Sequence, residues 1–303
     1  MINIIASLWP IVGFFALGYS AKKVGIVPDH LPHRLNLFAI RVVFPAIILL
    51  SIPKLELANE LYFAILAPWL AVVISAFFVI LVSRAFCWPR DIQGALLILT
   101  ALGNTGFLGL PMIKAFFGLE HVAVAVVYDQ LGTFILVTTY ATILVALYSG
   151  EEKISSLAIV KKVLFFPPFV TLIIALLLPA DILQPIEFIL EVMATAVIPI
   201  TMLSIGMQFS FRVDKSYLRP LVFGLTLKML ALPVVIASLG YWLSISPVIW
   251  QSSVFQSATP PMVTGAVLLT AHNIAPKFTA TMLGFGTILA LIWLPVVYWL
   301  LNA

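Results

Sequence analysis

Charge and cysteine are what this chain has least of. Of its 303 residues 9% are Asp, Glu, Lys or Arg, and Cys87 is the one cysteine. A single thiol excludes an internal disulfide and a cysteine-built metal cluster. His30, His33, His121 and His272 form no i, i+4 pair within a helix, so no metal site is expected. There is no HExxH, no GxxxxGK[ST] and no nucleophile with an adjacent base. Those absences argue against enzymatic chemistry and nucleotide-driven pumping. So few charges also leave no solvated domain able to bind nucleic acid.

What the chain does have is apolar sequence. It is 63% hydrophobic, with a mean hydropathy of +1.17, which places it among integral membrane proteins. Crossing a hydrocarbon core of about 30 Å takes roughly 20 helical residues. Ten such spans are expected, at 2–20, 35–53, 62–86, 92–114, 120–148, 157–179, 187–208, 217–240, 248–271 and 277–301. Runs such as LYFAILAPWLAVVISAFFVILV (61–82) lack the period-two alternation of a membrane β-barrel. The fold class is therefore an all-α polytopic membrane protein. The first span starts at Ile2 without a basic leader and outruns a signal-peptide core, so it is expected to be retained.

With ten spans, the odd-numbered loops or their helix ends carry Lys22, Lys23, Arg34, Arg84, Arg90, Lys153, Lys161, Lys162, Arg212, Lys215, Arg219 and Lys277. The other side carries Lys54 and Lys114. This bias predicts cytoplasmic odd loops and both termini outside. The net charge of +4 then reports topology and contact with lipid headgroups.

Sliding the chain by 154 residues lays Pro45 on Pro199, Thr105 on Thr259, Gly132 on Gly286 and Thr133 on Thr287. Residues 1–149 and 150–303 read as two five-span repeats, and an odd number of spans makes the second copy enter from the opposite side. Inverted repeats of this kind characterise secondary transporters, with a site near the bilayer midplane. The same offset lays LGNTGFLGLP (102–111), in span 4, over QSATPPMVTG (256–265), in span 9. Gly103, Gly109, Pro111, Pro260 and Pro261 are expected to break both helices. Unwound backbone survives in a membrane only where protein or a water-lined cavity satisfies it. Two crossing breaks would therefore frame a small polar site whose half-helix N-termini favour an anion.

The chain resembles the auxin efflux carrier family, which includes plant PIN-type carriers and bacterial members linked to malate and malonate. The resemblance runs along the full length: two inverted fives, the break with Asn104, Thr105, Gly106 and Pro111, and the break with Pro260 and Pro261. Bile-acid sodium symporters are similar in architecture, but NTGFLGLP follows the auxin-carrier pattern. About ten residues (148–157) join the halves, so kinase regulation through a long central loop is not implied. The resemblance does imply a scaffold of spans 1, 2, 6 and 7 that mediates a homodimer. It also implies a moving domain of spans 3–5 and 8–10, with substrate held between crossing and scaffold and carried by an elevator-like shift.

Asn104, Thr105, Gly106, Gln256, Thr259, Pro260 and Pro261 are the expected substrate contacts. Arg41, one turn before Pro45, could grip a carboxylate or snorkel to headgroups. Asp129 and Lys228, buried by sequence, are expected to couple transport to protons, to pair with each other, or to balance an anion. No cofactor is expected beyond a coupling proton or sodium ion. Glu187 and Glu191 should lie at the outer interface. The reading that follows is a secondary transporter of small organic anions, auxin-like or dicarboxylate. A sodium-coupled bile-acid-type symporter is the alternative, and a channel a more distant one.

Overall fold

The computed structural model describes residues 2–55, 59–149, 156–209 and 217–303, and these form helices and turns with no strand. Lys153, Arg212 and Lys215, counted above for topology, lie outside the described residues. In chain order the helices are α1 (Ile2–Val24), α2 (Leu31–Lys54), α3 (Leu61–Ala85), α4 (Arg90–Ala101), α5 (Thr105–Phe116), α6 (Leu119–Ser149) and α7 (Ser156–Leu164). After them come α8 (Pro167–Leu177), α9 (Asp181–Gln208), α10 (Leu218–Trp242), α11 (Pro247–Ser257), α12 (Val263–Ala271) and α13 (Pro276–Leu301). Among the described residues α2, α3, α6, α9, α10 and α13 are six helices each long and apolar enough to cross a membrane. Large apolar side chains such as Val73, Phe77, Leu81, Ile292 and Trp299 are exposed on them. Acyl chains, not water, are the solvent such faces fit.

Several prolines act without breaking a helix. π-Turns at Ala39–Val43, Thr105–Gly109 and Leu227–Ala231 each end two residues before a proline: Pro45, Pro111 and Pro233. A proline leaves the carbonyl four residues back without its donor and crowds it with its ring. Widening the turn just before it relieves the crowding, and the amide of the residue that precedes the proline then reaches five residues back. Phe44 N–H does so to the Ala39 carbonyl and Leu232 N–H to the Leu227 carbonyl. The expectation that Gly109 and Pro111 break span 4 is corrected here. Both lie within continuous helix, because the π-turn absorbs the proline.

The chain divides into two compact units, each drawing on both halves of the sequence. One comprises Met1–Ala58, Gly106–Val126 and Leu164–Phe209. In it α1 packs along α9. A Cβ on Gly18 would stand 2.3 Å from the Leu203 carbonyl oxygen, and one on Gly206 2.1 Å from that of Phe15. Ser204 Oγ donates to Asn36 Oδ1 at 2.5 Å, and Lys114 Nζ to the Ala194 carbonyl at 2.8 Å. Lys54 pairs with Glu187 at 2.5 Å, which puts two residues expected on the outer face at the same end of this unit.

The second unit comprises Asn59–Thr105, Val127–Val163 and Ser210–Ala303. Here α3 packs on α4, on α6 and on α11. A Cβ on Gly132 of α6 would meet Pro68 Cγ of α3 at 2.1 Å. Glu60, just before α3, accepts a hydrogen bond at 2.6 Å from the amide of Ser246, the residue that precedes α11. Both interrupted segments meet in this unit.

Candidate functional site

The first interruption lies between Ala101 and Thr105, the second between Ser257 and Val263. Leu102–Asn104 and Pro260–Met262 cross as a short antiparallel pair. Asn104 N–H donates to the Pro260 carbonyl at 2.8 Å, and Met262 N–H to the Leu102 carbonyl at 3.0 Å. Gly103 and Pro261 therefore face each other at a position where neither bonds to the other. Pro261 forfeits no ladder bond there, while Pro260, with no N–H, cannot return a bond to Asn104. Pairing two unwound segments with each other satisfies backbone that hydrocarbon would leave unsatisfied.

Close approach sets the rest. A Cβ on Gly103 would lie 2.3 Å from Thr259 Oγ1 and 3.0 Å from Lys228 Nζ, so only glycine lets both groups reach this spot. Gly286 of α13 makes the matching room for Pro261, whose Cδ would be 2.5 Å from a Cβ there. Gly132 and Gly286, which the 154-residue offset lays on each other, thus each accept a proline ring, although Pro68 and Pro261 are not themselves matched.

Asn104, Thr105, Gln256, Ser257 and Thr259 are all buried here, as are Lys228, 2% exposed, and Asp129, 6% exposed. Thr105 Oγ1 donates to Asp129 Oδ1 at 2.5 Å and Gln130 Nε2 to Asp129 Oδ2 at 2.6 Å. Gln256 Nε2 donates to the Thr105 carbonyl at 3.4 Å, and Thr259 Oγ1 to the Gln256 carbonyl at 2.6 Å. Lys228 Nζ donates to the Ser257 carbonyl at 2.8 Å.

The electrostatics follow from helix ends. Ser257 is the last residue of α11, so the ammonium sits at a helix C-terminus, where about half a negative charge collects. Thr105 opens α5, so the Asp129 carboxylate is held at a helix N-terminus, the positive end. Of the roles open to Lys228 and Asp129, pairing with each other is thereby corrected. Among the described residues the ion pairs are Lys22–Asp29 and Lys54–Glu187, and each intramembrane charge is met by a different half-helix end.

Both charges sit in π-turns, Asp129 in Tyr128–Thr133 and Lys228 in Leu227–Ala231. Such turns are frequent at functional sites. Neither charge is repeated: the offset lays Asp129 on Leu283 and Lys228 on Ile74. Gly106 follows in the first turn of α5 and is buried. Arg41, by contrast, is exposed and lies in the other compact unit. What sequence reasoning did not assign is which main-chain groups act: the carbonyls of Leu102, Pro260 and Ser257 carry no side-chain signature.

A profile described as "Membrane transport protein" matches residues 3–298. An uncharacterized transporter of Methanothermobacter thermautotrophicus is 25% identical over 291 residues, covering 92% of this chain and 92% of the relative. An uncharacterized transporter of Methanocaldococcus jannaschii is 25% identical over 301 residues, covering 94% of each. A polytopic helical chain matched from end to end in this way belongs to the membrane transport protein family, that of the auxin efflux carriers.

Proposed function

We propose that the protein is a secondary active transporter of small organic anions, carboxylates of auxin-like or dicarboxylate type. In this reading ten membrane helices form two inverted five-helix repeats and work by elevator-type alternating access, in a homodimer in the plasma membrane with both termini outside. The observation that carries it is the crossing: half-helix ends, polar side chains and two unpaired-by-each-other charges gathered where the chain is otherwise apolar. The α5 N-terminus already faces Asp129. The α12 N-terminus has no acidic residue in its first turn and no side-chain cap. Its free amides are the natural seat for a carboxylate, with Asn104 beside the same backbone pair.

Counterflow of labelled malate and indole-3-acetate in liposomes tests this without assuming any coupling ion. Wild type should exchange at least one acid, and Asn104→Ala should lose about tenfold or more, the cost of one hydrogen bond to a charged group. If folded wild-type protein exchanges neither, the carboxylate assignment is wrong.

Asp129 is proposed to carry the coupling proton, being the buried carboxylate of the crossing. Asp129→Asn should keep counterflow and lose uptake driven by a pH gradient. Unchanged gradient-driven uptake in that variant would remove the coupling role.

A further inference from the structure

We infer that Lys228 is a tethered cation that permanently fills the position at the end of α11 where a free monovalent cation would otherwise bind, so that the crossing holds together without sodium. Discontinuous helices in secondary transporters hold coupling cations at unwound carbonyls and half-helix C-termini. The Ser257 carbonyl is such a group: it ends a half-helix at the crossing, and it accepts a hydrogen bond from Lys228 Nζ at 2.8 Å.

Three further features fit an ammonium built into this place. Gly103 leaves the space that Nζ occupies, since a Cβ there would stand 3.0 Å from it. The lysine is 2% exposed and takes part in none of the ion pairs among the described residues, so the half-helix end is what offsets its charge. Its counterpart in the first repeat is Ile74, so the charge is not required by the helix as an element and belongs to the second break. A buried ammonium without a counter-ion is costly. The cost is offset at the negative end of a half-helix, which is also what would draw an inorganic cation.

The inference rests on the geometry of the crossing and not on the identity of the substrate. The readout is therefore thermal unfolding of purified protein in detergent, without substrate, in choline chloride and then in NaCl, LiCl, KCl or propylammonium chloride. Wild type should melt at the same temperature in all of them. Lys228→Ala should melt about 5 °C or more lower in choline. Sodium, lithium or propylammonium should restore most of that loss in a saturable manner.

A Lys228→Ala protein that responds to none of these cations beyond the wild-type response would overturn the inference, as would wild type that itself needs sodium. Lys228→Gln, which keeps a donor for the Ser257 carbonyl but no charge, serves where the alanine variant does not fold. A glutamine variant as stable as wild type in choline would also overturn it. Failure of acid counterflow leaves this result intact, and failure here leaves the transport reading intact.

Discussion

Gly103 is the residue on which the crossing turns. Its α-carbon lies under Thr259 and Lys228, and added methyl volume must displace one of them. Gly103→Ala is expected to abolish counterflow and lower the melting temperature by several degrees, a typical overpacking cost of about 1–3 kcal/mol. Gly13→Ala is the control, because nothing lies within 4 Å of the position and helix propensity favours alanine. Glu60 gives a pH signature at the same scale. The Ser246 amide, bonded to its carboxylate, holds its pKa below the usual glutamate range. A lowered folded pKa means a contribution that is present above about pH 4.3 and lost as pH falls through the folded value. The melting temperature of wild type should therefore fall more steeply on acidification below that point than that of Glu60→Gln. Equal slopes would show that the bond contributes nothing.

Among elements, the π-turns explain how prolines inside membrane helices aim side chains. Pro233 imposes the wide turn Leu227–Ala231 that contains Lys228. In Pro233→Ala the amide donor returns and the turn can close to ordinary α-helix, rotating Lys228 away from Ser257. Helical circular dichroism should be unchanged while counterflow falls by about tenfold, as for loss of one charged hydrogen bond. Full activity would show that neighbouring packing, not the proline, holds the wide turn. The sequence made both interruptions legible, since Gly103, Asn104, Pro260 and Pro261 cannot sit comfortably in an unbroken helix. It did not show that Gly109 and Pro111 stay helical, because whether a proline breaks or only widens a helix depends on what surrounds it. Nor did it show that α1 and α9 touch backbone to backbone through Gly18 and Gly206.

At the scale of the whole molecule, the asymmetry of Lys and Arg predicts which membrane face each loop occupies. Cys87 is the sole thiol of the chain, is exposed, and lies in the turn between α3 and α4, on the side proposed to be cytoplasmic. A membrane-impermeant maleimide should label it in inside-out vesicles and leave it unlabelled in intact cells. Labelling of intact cells would reverse the proposed orientation.

Membrane class, helical architecture and the two interruptions were determined by the sequence alone, because they depend on composition and on local backbone chemistry; the family was legible through the resemblance of its motifs. The partners of Asp129 and Lys228 were decided by tertiary structure. From sequence, pairing with each other was one of several roles open to the two; in the fold each is met by the oppositely charged end of a different half-helix. Helix-end charge belongs to main-chain carbonyls and amides that every residue carries, so no side chain marks where it will gather. Only the crossing of Leu102–Asn104 with Pro260–Met262 brings those ends into reach of the two charges.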